Sequence, residues 1–186
     1  MTWTKIVGER FSASELDTYV RGLTFGAWRP SFVVVHNTSR PRITERPHGF
    51  TPQHMQNLVG FYRDTQKWSA GPHAFVDQNG IWIFTPLTSP GVHSPSWNHE
   101  AWGVETLGDY ETETFTDPIK SNLLDCLTVL HDVMGLDPNA LKLHKEDPQT
   151  THKTCPGKRV SKPELISEIA SRLAAKTQDD TQLPQV

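Results

Sequence analysis

Apolar and polar positions along this chain fall into short blocks with strand periodicity and longer blocks with helical periodicity. Phe32-Val33-Val34-Val35-His36 is an unbroken β-branched and aromatic run, the pattern of a strand buried on both faces. His73 to Asp77 and Ile81 to Phe84 flank Gln78-Asn79-Gly80, and Asn-Gly between apolar runs predicts a hairpin. Ala101 to Leu107 predicts another strand, with a carboxylate, Glu105, in its interior. Lys142-Leu143-His144 predicts a short last strand.

Four stretches carry helical spacing. Ser12 to Arg21 opens with a Ser-x-x-Glu capping box, Ser12 and Glu15. In Thr51 to Trp68, Thr51 can cap, Pro52 suits the first turn, and Met55, Leu58, Val59 and Tyr62 share a face. Asp117 to Met134 places Ile119, Leu123, Leu127, Leu130 and Met134 in one stripe, with Gly135 to end it. Ser161 to Ala175 predicts a terminal helix, and the polar stretch 176–186 predicts a disordered tail. Interspersed strands and helices with one hairpin predict an α/β fold with no internal repeat or linker. The expectation is a single domain over 1–175, with its core at 30–158. Its mixed sheet should hold about five or six strands, with helices on both faces.

Length and charge narrow the function classes. The 186 residues are enough for one hydrophobic core without disulfides or metal as props. A net charge of −3, with basic residues scattered, excludes nucleic acid as the main partner. The first ten residues show no apolar signal-peptide core and no segment reaches transmembrane length. The expectation is therefore synthesis in the cytoplasm and no membrane insertion. Cys126 sits in a helical apolar stretch and reads as core, so the two cysteines make no disulfide framework.

Candidate chemistry concentrates in the loop from Leu143 to Gly157, which gathers His144, His152, Lys153 and Cys155 among turn formers. Imidazole and thiolate are good zinc ligands. A lone cysteine is more often a buried small hydrophobe and a loop histidine is usually solvated, so each residue alone says little. A further ligand must come from elsewhere, and His36, at the end of its strand, is the best donor.

His36 after an apolar strand, Trp102-Gly103-Val104-Glu105, and His144 followed by Lys153-Thr154-Cys155-Pro156-Gly157 resemble the zinc N-acetylmuramoyl-L-alanine amidases of type 2. That family takes in small phage endolysins, bacterial wall-recycling amidases and animal peptidoglycan recognition proteins. The resemblance implies one Zn2+ per chain, held by His36, His144 and Cys155, with a fourth position open for water. It implies that Glu105 is the general base and that Lys153 stabilises the oxyanion. Gly91 to Asn98 resembles a substrate-groove segment of phage members; His93, Trp97 and Asn98 within it, and separately His73, are candidate substrate contacts. Both histidines could equally be structural.

The loop between His144 and Cys155 is longer than in compact phage members, so His152 competes with His144 as ligand; the stiffer strand end favours His144. Some phage members carry a catalytic Tyr where this chain reads Gly71-Pro72-His73, which shifts the burden to Glu105. No wall-binding module is visible, so the catalytic domain alone would hold the substrate, peptidoglycan or a muropeptide, as a monomer. The expected role is a phage-type endolysin released through a holin. The alternatives are a cytosolic muropeptide-recycling amidase, a non-catalytic peptidoglycan-binding module, or a structural zinc site closed by His152.

Overall fold

The structure is a computed structural model and describes residues 2–182, with side chains to residue 178. Its sheet contains β1 (Glu9–Phe11), β2 (Phe32–Asn37), β3 (Ala74–Asp77), β4 (Gly80–Ile83), β5 (Ala101–Thr106) and β6 (Lys142–Leu143). Their order is β1-β4-β3-β5-β2-β6. β3, β5, β2 and β6 run parallel, while β4 and β1 join antiparallel at the other edge. The mixed sheet predicted from the periodicity is therefore present. β1 was not anticipated, because three residues are too few to show a period; its pairing with β4 defines it.

Strand alternation sends side chains to two cores. Val33, Val35, Ala74, Val76, Trp102 and Val104 face the layer built by α1 (Ala13–Arg21), α3 (Ile119–Met134) and α4 (Lys162–Gln182). Phe75, Trp82 and Phe84 face the opposite side, where Met55 of α2 (Pro52–Gly60) and Tyr62 cover them. Leu123, Leu127 and Leu130 on α3 are fully buried, each stabilising by roughly 1.5–3 kcal/mol relative to exposure.

The caps behave as their residue types require. The Ser12 backbone N–H donates to Glu15 at 2.8 Å, and Ser12 Oγ accepts from the Glu15 N–H. Thr51 Oγ1 accepts from the His54 N–H, with Pro52 in the first turn of α2. Gly135 closes α3 with φ of 61°, a left-handed conformation that suits glycine.

Two helices end elsewhere than the periodicity suggests. α2 stops at Gly60 and the chain continues as one wide π-helical turn, Phe61–Thr65. This turn accompanies the burial of Tyr62, whose ring stacks on Trp68 (centroids 5.2 Å apart) and meets Phe84 edge-on. α4 runs past Ala175 to Gln182, so 176–182 is helical rather than tail; residues 183–186 lie outside the described residues. Just past Ala175, Lys176 Nζ donates to Asp17 and to Asp132, each at 2.7 Å, tying this part of the helix to α1 and α3.

One buried carboxylate braces the side of the sheet that carries the site. Asp77 at the end of β3 accepts from the backbone N–H groups of Phe50 (2.6 Å) and Asn79 (2.7 Å), and from Trp82 Nε1 (3.2 Å). This ties the start of α2 to the hairpin.

Candidate metal and catalytic site

The site forms where neighbouring parallel strands end. β2 and β5 pair so that His36 lies directly opposite Glu105, and β6 leads straight into His144. Adjacent strands in register put their side chains on the same face, so His36 and Glu105 emerge together. His36 Nδ1 is 3.9 Å from Glu105 Oε1. His144 begins a single 3₁₀ turn rather than ending the strand, and its ring centroid lies 4.3 Å from that of His36.

Cys155 reaches the same point from the far end of the loop. Its backbone carbonyl accepts from the Lys145 N–H at 2.9 Å, and its Sγ accepts from the Asn37 N–H at 3.4 Å. One ligand atom from each of His36, His144 and Cys155 lies within 4.8 Å of the other two. His152 stands outside this group: its ring is 5.4 Å from that of His144 and is exposed. Gly157, with φ of 114°, completes the turn; a Cβ there would come within 2.4 Å of the Tyr110 backbone.

The surroundings favour neutral imidazoles. Burial, then the neighbouring His144, His93 and His152, push the His36 pKa well below its usual value. Burial likewise holds His144 at about 4. Burial first, then the Glu105 charge, pushes the Cys155 thiol upward, against the Asn37 N–H and Lys145. Burial alone raises Glu105 to about 8. Glu105 Oε2 is buried without a hydrogen-bond partner, an arrangement that a cation at the three ligand atoms would relieve. Two borderline nitrogen donors, one thiol and a nearby carboxylate fit zinc in kind.

A groove of about 750 Å3 opens over these residues. Its lining includes apolar Leu58, Phe61, Tyr62 and Trp68 and charged Arg40, Asp109 and Glu111. Phe61 is the exposed large hydrophobe among the described residues, at 46%. Burial first, then Glu105, pushes the Tyr62 hydroxyl well above its usual pKa.

The other residues singled out by the sequence lie apart from the open groove or at its edge. His73 is fully buried, with Nε2 3.0 Å from the Ser89 carbonyl and Nδ1 accepting from the Gly103 N–H, so both nitrogens are engaged by backbone. His93 borders the groove but is 6% exposed, and its Nδ1 lies 3.2 Å from His36 Nε2. Asn98 Oδ1 accepts from the His93 and Ser94 N–H groups, folding its own loop, and Trp97 packs edge-on against Phe32. Neither Trp97 nor Asn98 lines the groove, and Lys153 is exposed beside it.

Two residues that shape the site had no sequence signal. Asp147, fully buried, accepts from Ser94 Oγ (2.5 Å), Ser96 N (3.0 Å), Ser96 Oγ (2.6 Å) and Gln149 N (2.8 Å). Burial pushes its pKa up, but these hydrogen bonds outweigh it and hold the carboxyl at about 2. Thr150 Oγ1 stands 2.8 Å from His144 Nε2. Their partners are distant in sequence or come from an ordinary hydroxyl, so spacing could not reveal them.

Two imidazoles near the C-terminal ends of parallel strands and a thiol from the following loop, beside a partly buried carboxylate, form a group that could hold a metal ion on an α/β sheet. Residues 27–158 match the N-acetylmuramoyl-L-alanine amidase family, and the chain belongs to it. Its fold is similar to that of the endolysin N-acetylmuramoyl-L-alanine amidase LysCS from Clostridium intestinale, at 23% identity and a TM-score of 0.62, covering 80% of this chain and 92% of that one. It is also similar to Drosophila PGRP-LB, at 20% identity and a TM-score of 0.60, covering 81% and 85%. Apis mellifera PGRP-SA gives 14% identity and a TM-score of 0.61, covering 77% and 86%. No curated protein matches the sequence. Among the described residues, no helix is long and apolar enough to cross a membrane.

Proposed function

We propose that this chain is a zinc-dependent amidase that cleaves the bond between N-acetylmuramic acid and L-alanine of peptidoglycan. The observation that carries the reading is the convergence of His36, His144 and Cys155 within 4.8 Å, beside a carboxylate whose Oε2 has no partner. Family membership supplies the substrate class.

In this reading His36, His144 and Cys155 hold the ion. Bound zinc supplies Lewis acidity and a water acidified toward neutrality. Glu105 takes the water proton as the oxygen adds to the scissile carbonyl carbon, then delivers a proton to the leaving nitrogen as the C–N bond breaks. Its place opposite His36 on the neighbouring strand, with Oε1 3.9 Å from His36 Nδ1, puts it within reach of that water. Lys153, two residues before Cys155 on the same turn, is the proposed counter-charge for the developing oxyanion. The mixed apolar and charged lining suits an amphiphilic substrate, with Phe61 and Trp68 available to apolar sugar and lactyl faces and Arg40 and Glu111 to peptide charges. A phage-type endolysin, acting as a monomer on the wall after holin-type release, is the biological role we assign.

The test is incubation of the protein with washed, intact peptidoglycan, with and without chelator, reading soluble products by mass spectrometry. Stem peptides beginning at L-alanine, lost with chelator, are expected. Glu105→Gln should retain zinc and lose activity by about 10²-fold or more. Chelator-insensitive release would defeat the zinc mechanism, and no release from sacculi would defeat the endolysin role.

A further inference from the structure

We propose that His93 is a positioning residue that fixes the tautomer of His36, leaving the His36 Nδ1 lone pair to face the ion. The inference rests on the metal reading above and adds to it which atom binds and what holds that atom in place.

His93 Nε2 lies 3.2 Å from the Ala101 carbonyl oxygen, which can only accept, so Nε2 carries the proton. A buried, neutral imidazole protonated at Nε2 presents a bare lone pair at Nδ1. That Nδ1 is 3.2 Å from His36 Nε2, which must therefore be the donor. With its proton committed to Nε2, neutral His36 keeps its lone pair on Nδ1. This is the nitrogen that stands 3.9 Å from Glu105 Oε1, on the side where the chemistry must occur. The hydrogen bonds run from His36 to His93 to Ala101, and each donor has a definite acceptor.

The seat of His93 is built for this. Its backbone N–H donates to Asn98 Oδ1 at 2.7 Å, which pins the loop that carries it. Its ring lies over Gly103, where a Cβ would stand 2.3 Å from the His93 Cγ. Any other residue at 103 would drive the imidazole out of line with His36. The ring meets that of His36 edge-on, with centroids 5.2 Å apart. A merely space-filling residue would need none of these polar registrations. Outer partners of metal-binding imidazoles orient the ring and raise its basicity, and their loss costs about 10- to 100-fold in metal affinity.

The experiment has two readouts, of which the first needs neither metal nor mutation. Protein labelled with 15N-histidine is examined at pH 7 by long-range 1H–15N correlation NMR, with the His36 signals assigned by their absence from His36→Ala. His36 and His93 are both expected as Nε2–H tautomers. Zinc affinity is then measured by chelator competition for wild type, His93→Leu and His93→Asn. His93→Leu should bind about 10- to 100-fold more weakly and lose the His36 tautomer preference. His93→Asn, which places an acceptor oxygen near the former Nδ1, should recover most of the affinity. A wild-type His36 protonated at Nδ1 overturns the proposal, and so does His93→Leu binding zinc as tightly as wild type. If His93→Leu fails to fold, the wild-type tautomer spectrum decides the matter alone. Should wild type show the expected tautomers yet bind no zinc, the metal reading fails while the hydrogen-bond assignment stands.

Discussion

Replacing Asp147 by Asn should separate the stability of the site's scaffold from its chemistry. Asp147 accepts from Ser94, Ser96 and Gln149 and is fully buried, so it joins the loop that carries His93 to the turn that carries His144. Its folded pKa of about 2 lies below the ordinary 3.8, a difference equivalent to about 2 kcal/mol of stability. Because the folded value is depressed, that contribution is fully present above about pH 4 and is lost as pH falls through 2. Asn is neutral throughout and keeps one carbonyl acceptor. Urea unfolding of wild type and Asp147→Asn from pH 6 to pH 2 should therefore show a gap of about 2 kcal/mol that closes at the acid end. The other carboxylates titrate in both proteins and cancel in the difference. A gap that stays constant down to pH 2, or one already near zero at pH 6, would refute the reasoning.

Other perturbations follow from the same geometry. Asp77→Ala strands the N–H groups of Phe50, Asn79 and Trp82, and should cost about 3 kcal/mol, read as a Tm fall of roughly 10 °C by calorimetry. An unchanged Tm would show that the bonds are dispensable. Gly157→Ala meets both φ of 114° and the Tyr110 backbone, so a loss on the order of 3 kcal/mol is expected in denaturant unfolding, with weakened zinc binding because Cys155 sits in the same turn. Lys153→Ala should lower kcat by about 10²- to 10³-fold with KM little changed, and Lys153→Arg should recover part of it. Equal kcat in all three proteins would remove Lys153 from the mechanism.

The elements with strong local signals were legible in the sequence. The Phe32 run, the hairpin at Asn79 and the stripe of α3 each encode burial through a period that needs no partner to be read. The grouping of His36, His144 and Cys155 was legible through the family resemblance of their motifs, and the structure brings their ligand atoms together. What escaped depends on pairings that are distant along the chain. β1 exists only through β4, and the part of α4 past Ala175 is tied to Asp17 and Asp132. His73 shows the limit most clearly. The sequence leaves a groove contact and a structural role equally open; in the fold Ser89 and Gly103 engage both its nitrogens and it is buried.

His36, Glu105 and His144 are carried by or directly follow three neighbouring strands of one parallel ladder, whereas much of the groove lining, such as Arg40, Phe61, Asp109 and Glu111, comes from loops and from the turn after α2. The two can therefore diverge at different rates. A slip of β2 by one residue would turn His36 to the opposite face and abolish the centre at a stroke, so the ladder tolerates almost no insertion. Length changes around Arg40 or Phe61 leave that ladder untouched. On the proposed function, chimaeras that exchange these segments between relatives should change which peptidoglycan fragments bind while zinc affinity, set by His36, His144 and Cys155, is unchanged.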